Sequence, residues 1–321
     1  MHRELIVKTT IAFSTLIASI VLPIAYTYFS SINQDLPETI LSYRLHRSIY
    51  SVLAGVVLAS SGCMLQSTLR NPLVDHHILG VGAGALFAVY LSFLLHGFSS
   101  LFMIALAASA GGLFALFLSV AIAEIMSGSD AAYVLSGLGV TSMFSGLSIL
   151  LLYYVAPRYG PASLMLTGSF IHSRKDMMPY VLAPAVFMII SYFALAKKMN
   201  TVVIGDDYAL QLGVNPRRIR LATALIVGVS SSLIVSMFGM IGFIGLVTPH
   251  MARLFLKTSD NRLVIPLAMG FGSLLLYITD SLSRMVVAEV LGEVPAGAVT
   301  SAIGAPFFLI LLVKRLRGVQ H

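Results

Sequence analysis

Charge is what this sequence has least of. Only 10% of its 321 residues are Asp, Glu, Lys or Arg, whereas a soluble globular chain carries about 25%. With 58% hydrophobic residues and a mean hydropathy of +0.93, that shortage excludes an ordinary water-soluble domain and places the chain in lipid. Tryptophan is absent, so any interfacial aromatic belt falls to the 13 tyrosines. The lone cysteine, Cys63, excludes an internal disulfide and sits in an apolar run, where it serves as a small packing residue. Gly-Lys never occurs, so the G-x-x-x-x-G-K-[ST] phosphate loop is missing and ATP cannot be hydrolysed by that route. His-Glu-x-x-His is missing too. Carboxylates are scarce within the apolar runs, with Glu124 and Asp280 near run ends. An ion-coupled carrier places such groups near mid-membrane, so energy coupling is expected from outside this chain. The net charge of +7 lies in short clusters at run ends, with no extended basic face, which excludes nucleic-acid binding.

What the chain does have is a series of long apolar runs, and a span needs about 20 such residues. Reading from charge to charge predicts crossings over residues 9–34, 48–69, 78–95, 97–123, 131–157 and 177–196. Residues 221–252 hold no charge, and Gly239, Gly242 and Gly245 interrupt them, so this run divides into two helices at the GMIGFIG turn. Residues 263–285 and 294–313 complete ten crossings, all in one domain over 1–321. The first run is too long for the core of a signal peptide and is read as a retained helix. Ten crossings put both termini on one side. With the N-terminus in the cytoplasm, six of the 20 Lys and Arg fall outside (Arg44, Arg47, Arg158, Arg174, Lys175 and Arg284) and the rest inside. That bias supports the orientation, in a cell membrane with both termini cytoplasmic.

The longest polar stretch, GDDYALQLGVNPRRIR over residues 205–220, then lies in the cytoplasm. Gly205 and Asp206 can open a short helix, and Asp206 and Asp207 suit its positive end. Tyr208, Leu210, Leu212 and Val214 give it apolar contact, Gly213 can end it, and Pro216 forbids its continuation. Glycines recur within runs (Gly80/Gly84, Gly111/Gly112, Gly242/Gly245, Gly270/Gly272), which suits close helix packing in lipid. Arg44, Gly55 and Pro72 stand in the same order as Arg217, Gly228 and Pro249, a spacing consistent with an inverted internal repeat. His76-His77 has only Asp75 beside it and reads as a solvated pair at a membrane edge, not a metal site.

Several segments resemble one family, the FecCD-type permeases of ABC importers. Arg44-Leu45-His46-Arg47 resembles its R-L-P-R, with His46 in place of proline, and Arg70-Asn71-Pro72-Leu73-Val74-Asp75 resembles R/E-N-P-L-A-D/E. Leu79-Gly80-Val81 with Gly82 and Gly84, then Gly242-Phe243-Ile244-Gly245-Leu246-Val247-Thr248-Pro249-His250 with Arg253, continue the likeness. Asp280, Arg284, Glu293-Val294-Pro295-Ala296-Gly297 and Gly304-Ala305-Pro306-Phe307 complete it, while LMLTGSF at 164–170 departs from W-x-x-G-G. The resemblance implies an all-α, ten-helix type II ABC importer permease with no catalytic residue, no metal and no cofactor of its own. It implies a homodimer, two cytoplasmic ATPase subunits carrying ATP and Mg, and an extracytoplasmic binding protein. The cargo would be a ferric siderophore or haem, or cobalamin. A coupling segment at about 203–217 would present Gly205, Asp206, Asp207, Tyr208, Leu210, Gln211, Leu212, Gly213, Val214, Arg217 and Arg218 to the ATPase. Arg44, Arg47 and Arg284 would dock the binding protein, and Ser127, Ser129 and Asp130 would form an inner gate. The alternative is an ion-coupled secondary transporter without an ATPase.

Overall fold

The computed structural model describes residues 2–34, 36–97, 100–126, 129–159, 165–287 and 294–318. Among these the regular elements are all helical. In chain order they are α1 (His2–Ile32), α2 (Glu38–Thr68), α3 (Val81–His96), α4 (Leu101–Ile125), α5 (Asp130–Val155), α6 (Met178–Ile204), the short α7 (Asp206–Gln211), α8 (Pro216–Phe238), α9 (Ile244–Leu256), α10 (Asn261–Leu282) and α11 (Ala296–Gly318). Seven of them (α1, α2, α4, α5, α6, α8 and α10) are long and apolar enough to cross a membrane. Three shorter apolar helices, α3, α9 and residues Ala296–Ile310 of α11, stand among them.

The axis of the bundle is α2. In its apolar window 89% of residues are buried, against 11% for α1 at the periphery. Helices α1, α6, α8, α9 and α10 pack around α2, while α3, α4 and α5 form a second group. The bridge between the groups is α8, which touches α2 and α6 on one side and α3 and α4 on the other. Lipid supplies no hydrophobic drive to bring helices together, so contact must come from close backbone approach. Small residues provide it here. Gly55 of α2 meets the Gly272 carbonyl of α10, Gly62 meets Gly245 of α9, and Gly84 of α3 meets Gly111 of α4.

The run 221–252 divides at the expected turn. Val235 O accepts from Gly239 N–H to end α8, Gly239 takes φ +82°, and α9 restarts after Phe243 at φ +67°. Other boundaries differ from the charge-to-charge reading. Helix α2 begins at Glu38, ten residues before the expected start at 48, so Arg44 and Arg47 lie inside a helix. Helix α6 continues past the exposed Lys197 and Lys198 to Ile204. A charged side chain does not end a helix when it has water or a partner within reach. The loop from 69 to 80 also departs from expectation. His76 is 1% exposed, packed beside Gly245, so it is a buried residue and not one of a solvated pair.

The glycine seam gives a direct test. A methyl group on Gly62 would fall inside the Gly245 carbonyl, whereas one on Gly139 of α5 meets nothing within 4 Å. Gly62→Ala should destabilise the protein by about 3 kcal/mol or more, the upper end of overpacking costs. Gly139→Ala should stay within roughly 0.5 kcal/mol of wild type. Thermal unfolding of the two variants in neutral detergent measures the contrast.

Candidate functional site

Two polar constellations mark opposite ends of α2. At its C-terminal end stands α7, whose limits follow from local chemistry. Gly205 closes α6 and precedes α7, and Asp206 and Asp207 occupy the first turn. At the far end Gly213 takes φ +74°, Val214 N–H donates to Ala209 O at 2.8 Å and Gly213 N–H to Leu210 O at 2.9 Å. These two bonds form a Schellman stop. Asn215 then caps α8 by accepting from Arg218 N–H, with Pro216 in the first turn.

Six residues cannot hold a helix by themselves; side-chain bonds hold this one. Asp206 accepts from Arg220 Nη1 and Nη2 at 2.9 and 2.7 Å, with Arg70 at 3.5 Å. Arg220 Nε also donates to Thr68 O at 3.1 Å, which ties α7 to the end of α2. The Arg220 bonds hold the Asp206 carboxyl below its usual range. A depressed carboxyl keeps its contribution above its unfolded value of about 4 and loses it as pH falls further, so α7 stays pinned throughout the neutral range. Ala209 is buried beneath the helix. Asp207, Tyr208, Leu210, Gln211, Leu212, Gly213, Arg217 and Arg218 are exposed, and Val214 is half-buried. Tyr208, Leu210 and Leu212 are 44%, 56% and 55% exposed, an outward apolar cluster on a fixed mount.

At the N-terminal end of α2, Arg47 is 1% exposed and Asp280 of α10 fully buried. Arg47 Nε donates to both Asp280 oxygens at 3.1 and 2.9 Å, and Nη2 donates to Oδ1 at 2.7 Å. Arg47 Nη1 donates to Tyr43 Oη at 3.0 Å, and Tyr43 donates in turn to Ile171 O. Tyr50 Oη donates to Arg174 O at 2.6 Å, fastening the loop ahead of α6 to α2. Arg284 brings its Nε to 3.3 Å from Asp280 Oδ2 and keeps part of its side chain outside. Arg44 reaches Gln34 Oε1 at 2.9 Å. Of the three cations expected to face a docking partner, Arg47 is therefore spent within the bundle, while Arg44 and Arg284 remain at its surface. The sequence singled out Asp280 without its partner. Its signal was the cost of a carboxylate in an apolar run, which demands one.

The expected inner gate is described only in part. Ser129 is exposed and caps α5 by accepting from Ala132 N–H. Ser127 and the side chain of Asp130 lie outside the described residues. Across this loop Tyr133 Oη of α5 donates to Glu124 of α4, a link that the sequence did not suggest. Among the described residues no three His, Cys, Asp or Glu gather as metal ligands.

The Arg47–Asp280 pair yields a second test. Asp280→Asn would strand a buried guanidinium and should cost about 3–5 kcal/mol, while the paired change Arg47→Met with Asp280→Leu should recover most of the loss. Unfolding temperatures of the single and double variants in detergent decide the point.

Residues 5–314 match the FecCD transport family. The chain is 34% identical to a probable iron chelatin transport system permease protein of Helicobacter pylori, over 89% of this chain and 85% of that one. It is 33% identical to the vitamin B12 import system permease protein BtuC of Vibrio cholerae, over 90% and 86% of the two chains. It is 32% identical to the Fe(3+) dicitrate transport system permease protein FecC of Escherichia coli, over 87% and 85%. Among solved structures, a metal-chelate type ABC transporter in an inward-facing conformation superposes with a TM-score of 0.78 at 25% identity, covering 95% of this chain and 99% of that one. Matched over nearly its whole length, this chain belongs to the FecCD transport family, permease subunits of ABC importers whose ATPase is a separate subunit.

Proposed function

We propose that this chain is the membrane permease of an ATP-driven importer that carries a bulky metal chelate into the cytoplasm. The cargo is a ferric siderophore or haem in the first instance and cobalamin in the second. Its relatives' names span iron chelatin, ferric citrate and vitamin B12, chelates too large for a narrow ion pore. In this reading the seven long and three shorter apolar helices make ten crossings, with both termini in the cytoplasm, and two copies face each other across the pathway.

The observation that carries the reading is α7. An apolar surface held outward by a Schellman stop and a doubly bonded Asp206 serves little purpose in water, but it fits a cleft on a soluble partner. Two cytoplasmic ATPase subunits, which bind ATP and Mg, would grip it. Closure of the ATPase pair pushes on α7, and the push passes through Arg220 and Thr68 O to α2. A rigid mount transmits displacement where a slack loop would absorb it. ATP binding then shifts the population between outward- and inward-open states, and the permease contributes no covalent chemistry. At the opposite end, Arg44 and Arg284 offer cations to acidic groups on an extracytoplasmic binding protein, steering the encounter more than tightening it.

The test is Tyr208→Ser with Leu210→Ser and Leu212→Ser. This variant should fold as wild type but lose co-purification with the ATPase by about tenfold or more, together with ATP-driven uptake in liposomes. Undiminished ATPase capture would remove α7 from the mechanism. Uptake by this chain alone under an ion gradient would replace the importer with a secondary carrier. At the other face, Arg44→Glu with Arg284→Glu should slow association of the binding protein most at low salt, which stopped-flow mixing reads directly.

A further inference from the structure

Beside α7, on the same end of the bundle, lies a cavity of about 420 Å³ that the coupling role does not use. Its polar lining comes from four places in the chain. Gln66 and Ser67 come from the end of α2, Arg70 from the following loop, His250 and Arg253 from α9, and Ser259 from the turn before α10. Cations and hydroxyls line it, and no carboxylate does.

The charge balance is unfinished. Arg253 is half-buried, and its Nη1 donates to the neutral Gln66 amide oxygen at 2.6 Å. Gln66 is held in that orientation by its own Nε2–H to Gly245 O. Among the described residues no carboxylate reaches Arg253. The acids close by in sequence or space are committed elsewhere. Asp206 is bonded to Arg220 and stands 3.5 Å from Arg70, so Arg70 is partly balanced; Asp260 is bonded to Arg262 and Asn200, and Asp75 to the Ile78 N–H. Behind the wall, Ser67 is held in place by donating to Asn261 Oδ1 at 2.6 Å. Arg70 follows α2 with a left-handed backbone at φ +54°. A guanidinium partly withdrawn from water and matched only by an amide is electrostatically incomplete. The group that completes it is an oxyanion able to accept from several donors at once.

We propose that this cavity is a binding site for a phosphate group, either the headgroup of an anionic lipid or free phosphate. Cationic pockets between helices at the membrane surface suit both sources. The site stands on this chain's own residues and does not depend on which cargo is carried. An occupied site would brace the ends of α2, α6 and α9 beside α7.

The test uses the full-length chain in neutral detergent with phosphatidylglycerol, phosphatidylcholine and inorganic phosphate as probes. Native mass spectrometry counts bound lipid, and thermal unfolding reads phosphate binding. Phosphatidylglycerol or inorganic phosphate should bind saturably, one per chain, and phosphatidylcholine should not. Arg70→Gln with Arg253→Gln should weaken binding by about tenfold or more, the scale of losing charge-assisted bonds to phosphate. Lys197→Gln with Lys198→Gln, which removes equal charge from an exposed stretch of α6, should change nothing. Ser259→Asp sets a carboxylate at the rim without disturbing the Arg253–Gln66 bond. It should weaken the same probes while leaving the unfolding temperature without probe unchanged. Binding of the lipid alone assigns the headgroup as the source, and binding of inorganic phosphate assigns the free anion; either supports the site. No binding of either probe, or equal loss in the arginine and lysine variants, overturns it. Loss of the ATPase subunit in the arginine variant while neither probe binds overturns it too, giving the cavity to a partner's carboxylate.

Discussion

A carboxylate inside an apolar helix must be neutralised before the helix can sit in lipid, and much of this fold follows from how that is done. Asp280 on α10 is matched by Arg47 on α2 through three hydrogen bonds. That pairing fixes the rotation and height of the two helices against each other. It works only because Gly55 and Gly272 let the backbones approach closely one stage further along the same contact. The ion pair and the glycine contact therefore constrain one another. The pair sets which faces meet, and the glycines set how close they come. Tyr43 and Tyr50 extend this fixed point to the loop before α6, so the N-terminal end of α2 organises its surroundings as well as its partner.

The opposite end of α2 uses the same chemistry for another purpose. There Arg220 joins Asp206 to the Thr68 carbonyl, in partial contact with water. The pairing confers little stability at such exposure; together with the Schellman stop and buried Ala209 it sets the orientation of a short helix. The central helix thus has a sealed ion pair at one end and an accessible one at the other. This polarity matches a protein braced on one face and handled on the other.

Much of this was legible in the amino-acid order, and the misses share a cause. The polar stretch 205–220 declared its helix, stop and restart through Gly205, Gly213 and Pro216, because turn chemistry is local. The break at Gly239 and the small-residue contacts were readable for the same reason. Arg47 was misread because charge was treated as a boundary, whereas its partner stands 233 residues away. A paired cation no longer marks where lipid ends, so α2 began earlier than expected. His76 was placed in water for a related reason. No local pattern reveals that the segment after α2 folds back against Gly245. The cavity lined by Arg70 and Arg253 draws on separated segments and so left no motif of its own.

The glycine seam also limits how this molecule can move. Where carbonyl lies against Cα with no side chain between, one helix cannot slide a residue past the other without driving a methyl group into backbone. The contacts of Gly55 with Gly272 and Gly62 with Gly245 therefore lock α2, α9 and α10 into a single beam. A change of shape then carries those three helices together. The hinge would fall where α8 bridges to the group of α3, α4 and α5.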